Sequence, residues 1–136
     1  MKYYEMKREH EKEAIAFTGI FWAFNTKQFE EGMEKIGLTG KDIKMIFSLG
    51  SGGYILKDKS KAFNAMLKRQ EDERKNSLKE KDFLLDALTW ELGNHEYCIT
   101  GDLGPTLYTL GISLDEIKAL DFGMEVLGKA LAECNM

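Results

Sequence analysis

The chain has 136 residues, 43% hydrophobic and 31% charged, with 13 Gly, one Pro, two Cys and a net charge of −4. That length suits a single domain over residues 1–136, and its aliphatic and aromatic content with only one proline excludes a disordered chain. No apolar run reaches the roughly 18 residues that cross a bilayer. The charged start, MKYYEMKREHEKE, lacks the apolar core of an export signal, so a cytoplasmic setting is expected. In that setting Cys98 and Cys134 are expected as reduced thiols, although counting alone leaves one disulfide open.

Residues 2–13 are nearly all charged or aromatic and predict a short exposed helix. From Ile15 to Phe24 the run IAFTGIFWAF is rich in β-branched and aromatic residues and predicts a buried strand with a bulge at Gly19. Asn25 and Gln28 have the spacing of a helix cap. Phe29, Met33 and Ile36 follow on one face before Gly37, predicting a short amphipathic helix. Ile43–Leu49 and Tyr54–Leu56 flank Gly50-Ser51-Gly52-Gly53, the pattern of a β-hairpin.

A polar helix follows over 60–76, with Phe63, Met66 and Leu67 as its apolar anchors and a C-terminal half expected to project into water. Ser77-Leu78-Lys79-Glu80 reads as a capping box for a helix with Leu78, Leu85, Leu88 and Leu92 on one stripe. Glu96–Thr100 has strand-like content. Pro105 opens a one- or two-turn helix that ends near Gly111. A second capping box, Ser113 to Glu116, precedes a stripe of Leu114, Ile117, Leu120, Met124, Leu127 and Leu131, predicting one long C-terminal amphipathic helix. The expected fold is α+β: an antiparallel sheet of three or four strands packed with four or five helices.

Charge is uneven along the chain. Residues 1–56 carry eight positive and eight negative side chains, residues 57–82 nine and six, and residues 83–136 two and nine. The middle segment mixes both signs and reads as a solvated helix face, so no direct nucleic-acid binding is expected. The acidic last third would repel nucleic acid and steer the protein toward a basic groove on a partner.

The densest polar group is Asn94, His95 and Glu96 with Asp102. These could ligate a divalent cation, or His95 could act as a general base oriented by Asp102. In an extended segment His95 and Glu96 point to opposite faces, which opposes convergence on one ion. Each residue also has a structural use: Asn94 as a left-handed helix cap, His95 as a hydrogen-bonder in the turn, Glu96 in solvent and Asp102 as the cap of the Pro105 helix. Gly93-Asn94-His95-Glu96 matches a motif of calcineurin-like metallophosphoesterases, but the accompanying Asp and His segments are missing. The Gly50–Gly53 loop lacks the companion motifs of a nucleotide clamp and reads as a turn.

The spaced pattern Phe21-x-Ala23-Phe24-Asn25-x-x-Gln28-Phe29-x-Glu31-Gly32, then Gly52-Gly53-Tyr54, then Asn94-His95-Glu96 with Asp102, resembles a family of small uncharacterised proteins of bacteriophages and mobile elements of gut bacteria. The resemblance covers residues 17–111 and implies a setting in which small acidic proteins inhibit host defence, CRISPR nucleases included. The leading expectation is a non-enzymatic protein-binding module without a cofactor. Its partner would be a CRISPR effector or another host defence protein, with Trp22 and Tyr54 as aromatic anchors. The alternatives are a small metal- or nucleotide-dependent enzyme using Asn94, His95, Glu96 and Asp102, and a structural homodimer through the Leu114–Leu131 stripe.

Overall fold

A computed structural model describes residues 2–135. Among these are eight α-helices and one three-stranded antiparallel sheet, an α+β fold. They form two compact units, one of residues up to Glu11 together with those from Gln70 onward, the other Lys12–Arg69.

In the Lys12–Arg69 unit, the chain leaves helix α1 (Tyr3–Ala16) and enters strand β1 (Ile20–Trp22). The strand expected from Ile15 is therefore shorter: Ala14 and Ala16 are strong helix formers and carry α1 onward, and the chain turns before Ile20. Helix α2 (Thr26–Lys35) is capped as its sequence predicts, with Asn25 Oδ1 accepting from Gln28 N at 2.8 Å. Gln28 Oε1 in turn accepts from Phe24 N, one residue before the usual partner.

Strands β2 (Ile46–Gly50) and β3 (Gly53–Leu56) form the expected hairpin, and β3 lies between β1 and β2. Phe21 pairs with Tyr54, and both rings meet Phe29 of α2 at centroid distances of 5.2–5.7 Å. Buried Phe21, Ala23, Met33 and Ile46 complete this small core. Helix α3 (Lys57–Ser77) starts directly after β3 and reaches beyond Arg69.

In the other unit the last turns of α3 do not project into water as expected. Gln70 Nε2 donates to His10 O at 3.1 Å, Glu73 lies 2.8 Å from His10 Nε2, and Arg74 Nε donates to Leu110 O at 3.1 Å. A polar helix face is thus packed by side-chain hydrogen bonds instead of apolar contact. The unit is built around helix α4 (Lys81–Asn94), whose Leu84, Ala87 and Leu88 are fully buried against Tyr3, Leu110, Ile117, Val126 and Ala130. Ser77 does not cap α4: it ends α3, Glu80 N donates to its carbonyl, and Glu80 occupies the cap position. The pattern S-x-x-E here closes a backbone turn between two helices.

Glu96–Thr100 is not a strand. Tyr97–Thr100 forms a single helical turn, α5, closed by Thr100 N to Glu96 O and Gly101 N to Tyr97 O. β-branched content makes a strand only where a sheet edge can receive it, and the described sheet lies wholly within Lys12–Arg69. Helix α6 (Gly104–Leu110) carries Pro105 in its first turn and stops at Gly111, as expected. Helix α7 (Leu114–Ala119) carries the full capping box, with Ser113 and Glu116 exchanging two hydrogen bonds of 3.1 Å. Ser113→Ala is expected to lower stability by about 1 kcal/mol in chemical denaturation.

The long C-terminal helix is in fact two helices, α7 and α8 (Gly123–Ala132), with a break at Leu120–Phe122. The apolar stripe continues across the break through Ile117, Val126, Leu127 and Ala130, whereas Met124 and Leu114 turn outward. Asp121-Phe122-Gly123 therefore marks a corner. Cys98 and Cys134 are joined by a disulfide rather than left as thiols, tying α5 to the last helical turn, Glu133–Asn135. The link spans 36 residues and Cys98 is exposed. Reduction is expected to cost about 2 kcal/mol, the lower end for such a loop, because the freed ends are peripheral and regain motion. Unfolding with and without reductant tests this; coincident midpoints would contradict it.

Candidate functional site

The most unusual polar group in the unit built on α4 is a carboxylate in its core. Glu91 lies on the α4 face that also presents Leu84 and Leu88, and its side chain is 0% exposed. Burying a charge requires partners, and they come from α1, more than 80 residues away in sequence. Tyr3 OH donates to Glu91 Oε1 at 3.0 Å and Lys7 Nζ donates to the same oxygen at 2.7 Å. Tyr3 is itself held by its backbone N–H, which donates to Asp86 Oδ2 at 2.8 Å. The second oxygen, Oε2, lies 3.2 Å from His95 Nε2 but makes no hydrogen bond of good geometry.

Burial pushes the Glu91 carboxyl up, but the hydrogen bonds from Lys7 and Tyr3 outweigh it and hold the group below its ordinary value of 4.5. The Tyr3 hydroxyl is pushed well above its ordinary value of 10.0 by burial and by the adjacent Glu91 charge. Both shifts describe a carboxylate kept ionised and a phenol kept protonated, which is a clamp between α1 and α4.

The four residues singled out in the sequence do not converge. Asn94 ends α4 in helical geometry rather than as a left-handed cap; the left-handed residue is Glu96, at φ 55° and exposed. His95 Nε2 pairs with Thr109 Oγ1 of α6 at 2.9 Å. Asp102 Oδ1 accepts from Gly104 N at 2.9 Å and so serves the start of α6. Among the described residues no three His, Cys, Asp or Glu side chains are grouped to hold a metal ion. Glu91 escaped the sequence reading, although its position four residues before His95 puts both on one helix face.

The Lys12–Arg69 unit carries a different feature. Trp22 is 59% exposed and Phe24 75% exposed, and Ile43, Met45, Phe47 and Leu49 on and before β2 are also exposed. The glycines of the hairpin make room for the first two. A Cβ at Gly52 would lie 2.5 Å from Phe24 Cε1, and one at Gly53 2.6 Å from Trp22 Cζ3. Gly52-Gly53 is therefore a seat for aromatic rings that stay half in water. Lys57 Nζ sits 5.0 Å from the Phe47 ring centroid, a cation–π contact at the rim. Tyr54, the other expected anchor, is drawn inward onto Phe21 and Phe29.

No curated protein and no solved structure gives a significant match to the chain. A protein-family model described as a family of unknown function, DUF7659, matches residues 2–133.

Proposed function

The chain belongs to DUF7659, a family of unknown function, and on the strength of its own surface we propose that it is a non-enzymatic protein-binding module. The observation that carries this reading is the apolar surface of the Lys12–Arg69 unit, where Trp22, Phe24, Phe47 and Leu49 stand exposed on and beside a three-stranded sheet. Exposed aromatics on a rigid element are the side chains that anchor protein interfaces. Trp22 and Phe24 supply the anchors; Tyr54 supports them from the core.

Charge adds direction. The Lys12–Arg69 unit has ten basic and six acidic side chains, net +4, and the remainder of the chain has nine basic and 17 acidic, net −8. The acidic unit steers the chain toward a partner with a basic surface, while the anchors themselves stand on the net-positive unit. In the phage or mobile-element setting implied by the sequence resemblance, that partner is a host defence nuclease, such as a CRISPR effector, and the outcome of binding is inhibition.

The test is retention of a stoichiometric partner by the tagged protein from lysates that contain host defence complexes. Trp22→Ser with Phe24→Ser is expected to abolish retention without unfolding, since both rings are solvent-exposed. Salt raised well above about 0.15 M is expected to weaken it, because the screening length there is already near 8 Å. Retention indifferent to both the substitutions and the salt would overturn the proposal.

A further inference from the structure

We propose that the free edge of β1 is a docking site for an extended polypeptide segment of the partner, which adds to the sheet as a fourth strand. The inference rests on the protein-binding reading and names where and in what conformation the partner is held.

Leu56 N donates to Gly19 O at 2.9 Å and Ala23 N donates to Gly52 O at 2.8 Å, on either side of the Phe21–Tyr54 pair. In an antiparallel ladder these alternate residues turn both backbone groups to the same neighbour. Gly19, Phe21 and Ala23 therefore face β3, and Ile20 and Trp22 face outward. Two N–H and two C=O groups are thereby presented at an edge that no described strand covers.

That edge is recessed. It runs along a groove of about 760 Å³, with Ile15, Phe17 and Phe63 among the apolar lining residues and Glu31 and Lys35 of α2 among the polar ones; Trp22 also lines it. The alternation of donors and acceptors fits a polypeptide backbone. A nucleic-acid strand offers anionic acceptors along its backbone, which would leave the Ile20 and Trp22 carbonyls unsatisfied. Flanked by Ile15 of α1 and by Glu31 and Lys35 of α2, the groove suits an extended segment. Strand addition gives affinity through the backbone and selectivity through alternate side chains. An apolar side chain toward Phe17 and Phe63 is favoured, with a basic one beside Glu31 or an acidic one beside Lys35.

The experiment selects binders to the full chain from a library of random linear peptides and remakes the best one with N-methyl groups at alternate residues, in both phases. Methylation in the phase that faces β1 is expected to weaken binding at least about tenfold, roughly 1.4 kcal/mol. The opposite phase stays within about twofold, and the amides of Ile20 and Trp22 become protected from hydrogen exchange. Equal effects of the two phases, or protection of the Ile46 and Ser48 amides on the free edge of β2 instead, would overturn the β1 assignment and leave the protein-binding reading standing. So would a partner retained through Trp22 and Phe24 with no peptide enriched. No peptide and no retained partner would overturn both, and dimers that protect the same amides would put a second copy in the groove and overturn the proposal.

Discussion

Gly123→Ala is expected to cost about 4 kcal/mol, enough to leave little folded protein at moderate denaturant concentration. A Cβ at this position would lie 1.7 Å from the Ile117 carbonyl oxygen and 2.7 Å from its carbon, so the obstacle is backbone and cannot rotate away. The corner between α7 and α8 brings these two residues together, and Ile117 is fully buried. Overpacking in a core ordinarily costs about 1–3 kcal/mol where side chains can yield; here the yielding element would be the corner itself. Gly128, on the same helix, has nothing within 4 Å of its Cβ position. Gly128→Ala is therefore expected to stabilise, by up to about 1 kcal/mol, through helix propensity. Chemical denaturation of the two variants tests the pair, and a Gly123→Ala cost below about 1 kcal/mol would contradict the corner as described.

Glu91→Ala is expected to cost about 3 kcal/mol. The substitution leaves the buried Tyr3 hydroxyl without its acceptor and opens a void beside α4. Removing one partner of a buried ion pair typically costs about 3–5 kcal/mol; the lower end applies because the Lys7 side chain is 30% exposed and can turn its charge to water. The pH dependence follows from the direction of each shift. Glu91 has a depressed carboxyl, so its stabilisation is present above the ordinary value of 4.5 and is lost as pH falls through the lower folded value. Tyr3 has a raised hydroxyl, so its contribution is present below 10.0 and is lost as pH rises through the folded value. Glu91→Gln should flatten the acid limb of the stability profile. An acid limb identical in wild type and variant would mean that the carboxylate is not held as an ion.

The parts of this fold that are legible in the sequence are those whose causes are local. Asn25 and Ser113 cap helices because a short polar side chain reaches an amide three residues on. Gly50–Gly53 turns a hairpin, and Pro105 with Gly111 brackets α6. The misread elements have distant causes. Ser77 and Glu80 have the spacing of a capping box but lie where α3 already ends. The stripe from Leu114 to Leu131 carries no local signal for a corner, because the break depends on how closely Gly123 approaches Ile117. Tyr97–Thr100 looks like a strand and lacks a described sheet edge to join.

The sites divide in the same way. Asn94, His95, Glu96 and Asp102 are close in sequence, yet they do not meet at one point: Asn94 and His95 lie against Glu91, His95 also pairs with Thr109, Glu96 is in solvent and Asp102 serves the start of α6. Glu91 is silent in the sequence because its partners Tyr3 and Lys7 are 88 and 84 residues away. Trp22 stands exposed whereas Tyr54 turns inward, a difference that depends on strand register, which alternation in so short a strand does not settle.

The most direct measurement is a hydrogen-exchange footprint of the full chain bound to the partner it retains. The account predicts protection at Ile20–Trp22 and in the hairpin of β2 and β3, with the amides of Asn94–Asp102 unchanged. Protection confined to Asn94–Asp102, with the sheet exchanging as in the free protein, would contradict it and move the functional surface to the loop between α4 and α6.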